Sequence, residues 1–246
     1  MKPHSPFQAC LALSFCLACL ILPTPSQSQS AIVTGTVTLT AGSLIRRGPA
    51  TLEVRLTPGS PSTRLQFDFN DGRYVEVAAD SVCPPRAKCP SRRSSWSDAS
   101  RGAGTHTITA QPPETAWFFP AWGRWVTSPA GAVVADLGSV VRHGMSERHL
   151  RVTVPRQPFA TSDIFLDPVT GLASAEQFAL PPDSGRGSPL QVEVRYSDYR
   201  LSSGVEVPFH VQRYLNGSLN LDLTLAAAQL GGSLPDTDFV IAGGAQ

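Results

Sequence analysis

The stretch LQVEVRYSDYRLSSGVEVPFHVQRYLNGSLNLDLTL, residues 190–225, decides the fold. Val192, Val194 and Tyr196 alternate with Glu193, Arg195 and Ser197, and the same alternation runs through Val205, Val207, Phe209 and Val211 and through Leu219, Leu221, Leu223 and Leu225. Period two with a single apolar row is the mark of a half-buried antiparallel strand. Asn216-Gly217 invites a two-residue type I′ turn. That register sets Phe209 against Thr224 and Val211 against Asp222, which throws the two apolar rows onto opposite faces. A three-residue loop of Leu215, Asn216 and Gly217, with Gly217 left-handed in a G1 bulge, instead pairs Phe209 with Leu223 and Val211 with Leu221. A turn around Ser202 and Ser203 pairs Tyr196 with Phe209 and Val194 with Val211. Three strands sharing one greasy face are therefore expected.

Working outward, Val33, Gly35, Val37 and Leu39 alternate with threonines at 34, 36, 38 and 40, a first strand with a hydroxyl-rich outer row. Leu52, Val54 and Leu56 make a second and Leu65, Phe67 and Phe69 a third; Asn70-Asp71-Gly72 turns the chain into a fourth through Val75 and Val77. From 80 to 104 the pattern dissolves into Pro, Ser, Arg and Gly, with Arg86, Lys88, Arg92, Arg93 and Arg101 against Asp80 and Asp98. An exposed basic loop is expected there. Strand character returns over 105–110, 133–141, 150–154, 164–166 and 172–180, giving roughly ten strands.

Lys2 and His4 precede an apolar run from Ala9 to Leu22, the length of a signal-peptide core and short for a membrane span. Residues 1–30 read as a leader, cut before Ala31 by the small-x-small pair Ser28 and Ser30, with Ser26 and Ser28 serving equally. Residues 31–246 then form a single β domain. Cys16-Leu17-Ala18-Cys19 ends like a lipoprotein box but lacks its leucine, so anchoring at Cys19 is the minor alternative to free export. Removing Lys2 leaves 19 basic against 19 acidic residues, a neutral chain that points away from nucleic acid. Cys83 and Cys89 remain, and in an exported chain they are expected to pair and pin the basic loop. The cations of that loop offer transient contact with an anionic membrane surface, against the plainer reading of a solvated protrusion.

Pro112 and Pro113 open a segment dense in rings, with Trp117, Phe118, Trp122 and Trp125. Phe118, Trp122 and Trp125 fall at i, i+4 and i+7, so a short helical segment, broken at Pro120, is expected to cover the sheet. The rings either cap the core or form a lid over an apolar ligand. No nucleotide, hydrolase-elbow or zinc-protease motif occurs, and no cofactor is implied. His143, Glu147 and His149 straddle a turn and do not converge as metal ligands. His210 falls opposite Asp222 and diagonal to Ser197 on the outer face, where cross-strand hydrogen bonding explains them better than a nucleophilic triad. Asp198 and Arg213 break the apolar row at its two ends; Arg213 either snorkels to the rim or meets a ligand headgroup.

The run of residues 164–172, the strands beginning at Val192 and Val205, the closing Leu234-Pro235-Asp236-Thr237-Asp238-Phe239, residues 116–121 and residues 147–152 resemble the LolA-like superfamily, in particular its uncharacterised secreted bacterial members. The resemblance implies a mainly β, antiparallel, half-closed barrel whose concave face is covered by helix. It also implies a periplasmic or extracellular, non-catalytic binder of an acyl chain, lipid or lipoprotein. The ligand would lie against Val194, Tyr196, Phe209, Val211, Arg213, Leu221 and Leu223 under Trp117, Phe118, Trp122 and Trp125. The alternative is a structural or protein-interaction module with a self-filled core.

Overall fold

The computed structural model describes residues 29–56, 62–79, 93–99, 102–107, 133–153, 161–180 and 187–240. They form thirteen strands: β1 (Gln29–Ala41), β2 (Leu44–Leu56), β3 (Ser62–Phe69), β4 (Gly72–Ala79), β5 (Arg93–Asp98), β6 (Gly102–Thr107), β7 (Val133–Arg142), β8 (Met145–Thr153), β9 (Thr161–Leu166), β10 (Ala173–Leu180), β11 (Leu190–Ser202), β12 (Val205–Leu215) and β13 (Ser218–Leu230). All belong to one antiparallel sheet in the order β6-β5-β4-β3-β2-β1-β13-β12-β11-β10-β9-β8-β7. Every neighbouring pair is consecutive in the chain except β1 and β13, which join the two ends of the domain in mid-sheet. Read as a circle, the sheet is an up-and-down barrel interrupted at one seam, between β6 and β7. It is an open barrel.

Twelve antiparallel steps separate β6 from β7, so these two edge strands run in the same direction.

One face carries the main core. Val33, Val37, Leu52, Val54, Leu65, Phe67, Phe178, Val192, Val194, Tyr196, Val211, Leu221 and Leu223 are all buried in a single cluster running from β3 to β10. At about 25 cal/mol per Å² of apolar surface, this inner face is the chief source of stability. Inward curvature is visible where Arg46 on β2 meets Asp98 on β5, 2.7 Å apart. The two strands are three spacings apart, about 14 Å on a flat sheet.

Residues 190–225 share one apolar face as expected, but both hairpins are shifted by two residues. Tyr196 pairs with Val211 and Val194 with Arg213; Val211 pairs with Leu223 and Arg213 with Leu221. The cause is turn chemistry. Ser203 and Gly204, and again Asn216 and Gly217, all have positive φ, and the pairs Ser202 with Val205 and Leu215 with Ser218 close two-residue loops of the I′ kind. The Asn216-Gly217 turn excluded on facing grounds is the one that forms. A bulge between Arg213 and Tyr214, opposite Asn220, absorbs the unwanted residue and returns both apolar rows to one face.

The sequence leaves the facing of β4 open, and one further expectation is corrected. In β4, Tyr74, Glu76 and Ala78 lie opposite Phe67, Leu65 and Thr63 on the inner face, while Val77 is buried on the outer face. There a 3-10 turn, Asp236–Phe239, packs against β3 and β4. Part of 80–104 is hairpin rather than irregular loop: residues 93–98 pair with a strand that begins at 102, ahead of the 105 expected; serine- and glycine-rich strands near an edge carry no apolar alternation, so period-two reading passes over them. The remainder of that loop, Cys83 and Cys89, and the leader through residue 28 lie outside the described residues. So does the helix expected over 117–126. Among the described residues the helical content is the single 3-10 turn.

Candidate functional site

Seven of the residues expected to face a ligand are brought together. Val194, Tyr196, Phe209, Val211, Leu221 and Leu223 are all buried in the inner cluster, on three adjacent strands whose pleat directs alternate side chains to the same side. Arg213 is half-buried in their midst, level with Val194 and Leu221. Its Nε and one terminal nitrogen donate to Asn220 Oδ1 at 3.1 and 2.7 Å. Asn220 in turn donates from Nδ2 to the Thr40 carbonyl at 2.8 Å. The bulge that corrects the register thus also supplies the residue that fixes Arg213. Trp117, Phe118, Trp122 and Trp125 lie outside the described residues.

The same cross-strand row continues past Val194 to Glu176 and Ile164. Glu176 is 5% exposed and places a carboxyl on the inner face, one strand beyond Val194 from Arg213. Sequence reading missed it because Ala175 and Phe178 flank it without a clean alternation. Leu150 extends the row onto β8. Asp198, read as a second polar break in the apolar row, has φ 52° and pairs at the surface with Arg200 at 2.6 Å. Beyond it Tyr199 packs on the core and donates its hydroxyl to the Ala173 carbonyl at 2.7 Å, while the Arg200 guanidinium lies 4.3 Å from the Phe209 ring centroid.

Toward the β6 edge the inner face ends in a charged clasp. Arg46 and Asp98, both with side chains 4% exposed, are joined at 2.7 Å, with half-exposed Asp71 at 2.9 Å from the guanidinium. The Arg46 guanidinium also lies 4.1 Å from the Phe69 ring centroid. Burial works against the arginine's charge, but the bonds to Asp98 and Asp71 outweigh it and raise its pKa above the ordinary value. Nothing local marks this pair in the sequence; its members are 52 residues apart.

The outer face is polar and self-satisfied. The tip of the β7–β8 hairpin reaches across to β11: Arg142 stands 3.7 Å over the Phe165 ring and bonds Glu147 at 3.0 Å and Glu193 at 2.9 Å. Ser174 Oγ donates to buried Glu147 at 2.5 Å. His149 stacks on Phe165 and lies 2.8 Å from Asp163. Accordingly His143, Glu147 and His149 are committed to separate ion pairs and ring contacts, and no group of three or more metal-ligating side chains converges among the described residues. Ser197, His210 and Asp222 do make contact, Oγ to Nδ1 at 3.2 Å and Nε2 to Oδ1 at 3.0 Å. His210 lies opposite Ser197 and Thr224 rather than opposite Asp222. The Asp222 carboxylate also accepts from Gln212 at 2.8 Å. This is a cross-strand ladder on an open polar surface.

A wide, open, up-and-down antiparallel sheet with one continuous apolar face defines the class of this protein: it has the LolA-like fold. Solved structures agree. A DUF1329 family protein from Desulfovibrio piger aligns with a TM-score of 0.56 over 88% of this chain and 91% of its own, at 9% identity. A putative outer membrane lipoprotein-sorting protein domain from Vibrio parahaemolyticus aligns with a TM-score of 0.52 over 85% and 88%, at 10% identity. A LolA superfamily protein from Nitrosomonas europaea covers 88% and 91%, with a TM-score of 0.46 at 12% identity. No family model and no curated protein matches the chain by sequence.

Proposed function

We propose that this chain is an exported, non-catalytic binding protein that holds an apolar ligand, the acyl chain of a lipid or lipoprotein, against the inner face of its open barrel. The observation that carries this reading is the inner face itself: a largely apolar surface from β3 to β10, with Arg213 set into it and anchored through Asn220 and with the Glu176 carboxyl on β10. An apolar surface with Arg213 fixed among its central strands suits a ligand with a long tail and an anionic or carbonyl-rich head. The seam supports it as well. The sequence between β6 and β7 carries Trp117, Phe118, Trp122 and Trp125, a density of rings suited to closing over an apolar ligand. Micromolar affinity requires about 8 kcal/mol, which about ten buried methylenes supply at about 0.8 kcal/mol each.

A second reading has its own observation. Val194 and Ile164 are 0% exposed among the chain's own residues, as in a module whose core is filled by its own side chains. Native mass spectrometry of the protein purified without delipidation separates the two. A stoichiometric acyl adduct, displaced by added lipid with a change in tryptophan emission, supports the carrier; three of the four tryptophans lie in the 108–132 connection. A ligand-free mass that stays unaltered after exposure to lipids and lipopeptides refutes it and favours the module.

A further inference from the structure

We propose that the leader is removed between Ser28 and Gln29, so that the mature chain begins at Gln29 and carries a glutamine N-terminus that cyclises to pyroglutamate. The inference rests on the export reading above. Small-x-small pairs allow a cut after Ser28 or after Ser30, and the fold distinguishes them. Ser30 is 4% exposed and belongs to the sheet. It pairs with Arg55 on β2, its carbonyl accepts from Gly231 N at 2.7 Å, and its hydroxyl donates to the Gly232 carbonyl at 2.5 Å. Ala31 is 0% exposed and lies between Val54 and Leu230 in mid-sheet. A cut after Ser30 would discard all the Ser30 contacts and place the charged terminus on Ala31, inside the ladder between β2 and β13 rather than at its end. A cut after Ser28 places the new terminus on the first residue of β1, opposite Leu56 where β2 ends.

An N-terminal glutamine has a reaction of its own. The α-amine nitrogen attacks the side-chain amide carbon, the bond from that carbon to the amide nitrogen breaks, and ammonia leaves as a five-membered lactam closes. No oxidant or reductant is involved. The product has lost the terminal positive charge and the free amine that aminopeptidases need.

The test is the intact mass and the N-terminal peptide of the full-length gene product recovered from the periplasm of an exporting bacterium. A peptide beginning at Gln29, with a form lighter by one ammonia that grows on storage, is the expected result. A peptide beginning at Ala31, or at an acylated Cys19, overturns the boundary, and a Gln29 peptide that never loses ammonia overturns the cyclisation. A chain that keeps its leader and stays in the cytoplasm defeats the export reading instead. The structural ground is then tested separately by comparing purified chains made to start at Gln29 and at Ala31. The shorter chain is expected to melt several degrees lower, and equal melting temperatures overturn the argument.

Discussion

Replacing Asp98 with alanine leaves the Arg46 guanidinium buried with only half-exposed Asp71 beside it. Breaking a buried ion pair by removing one partner costs about 3–5 kcal/mol, because the other charge is left desolvated. Asp71 remains 2.9 Å from Arg46, and a pair open to water is worth about 0–1 kcal/mol, so the net loss is expected at about 2–5 kcal/mol. Asp71→Ala, by the same reasoning, costs at most about 1 kcal/mol. Arg46→Met combined with Asp98→Ala removes both charges and is expected to recover most of the loss. Urea unfolding followed by tryptophan emission and by far-ultraviolet circular dichroism, with coincident transitions, measures all four proteins on one scale. Since Asp98 ties β5 back across two strands to β2, amide exchange in β5 and β6 should quicken in Asp98→Ala before it does in β11 to β13. The reasoning fails if Asp98→Ala costs less than about 1 kcal/mol, or if the double variant is as unstable as the single one.

Other outcomes follow from the same geometry. Leu223→Ala, at a site 1% exposed, is expected to cost about 2–5 kcal/mol in the same urea assay. Gly48→Ala and Gly35→Ala each drive a methyl group into a neighbouring strand's carbonyl, that of Asp68 and of Thr224 respectively; each should lower the melting temperature sharply, and a neutral result would show that the strands can move apart. Arg213→Ala is expected to keep the fold, read by circular dichroism, while weakening acyl-chain binding, read by tryptophan emission; unaltered binding would remove Arg213 from the site. Acid stability has a definite sign. Burial raises the pKa of Glu193, but bonds from Arg195 and Gln177 outweigh it and hold it below 4.5. Burial likewise opposes the ionisation of Asp163, but bonds from Arg151 and His149 outweigh it and hold its pKa below the ordinary carboxylate value. Groups whose folded pKa is depressed contribute fully above the unfolded value and lose that contribution as pH falls through the folded one. Urea midpoints should therefore hold steady down to about pH 5 and decline below it, less steeply in Glu193→Gln; an identical decline in that variant would contradict the assignment.

Much of the architecture is legible in residues 190–225 because facing is a local property. The pleat alternates side chains whatever lies across the ladder, so Val194, Tyr196, Phe209, Val211, Leu221 and Leu223 could be assigned to one face, and the broad, open antiparallel sheet followed from repeating that pattern. Register was not legible to the same degree. The Asn216-Gly217 turn and the opposing apolar rows make conflicting demands, and only the bulge opposite Asn220 satisfies both. The β5–β6 hairpin escaped because its strands are built from serine, glycine and threonine rather than an apolar row.

By itself, then, the sequence determined the strand-forming segments, which way their side chains point, and that one face would be greasy, since these depend on neighbours one and two residues away. Tertiary structure alone decided that β1 closes on β13, that Arg46 would find Asp98 within the curl of the sheet, that Glu176 would be buried one strand from Arg213's row mate Val194, and that Ser30 belongs to the fold. Each of those depends on which backbone lies across the ladder and on how much water is left there, and neither is encoded within the few residues that set a strand's own alternation.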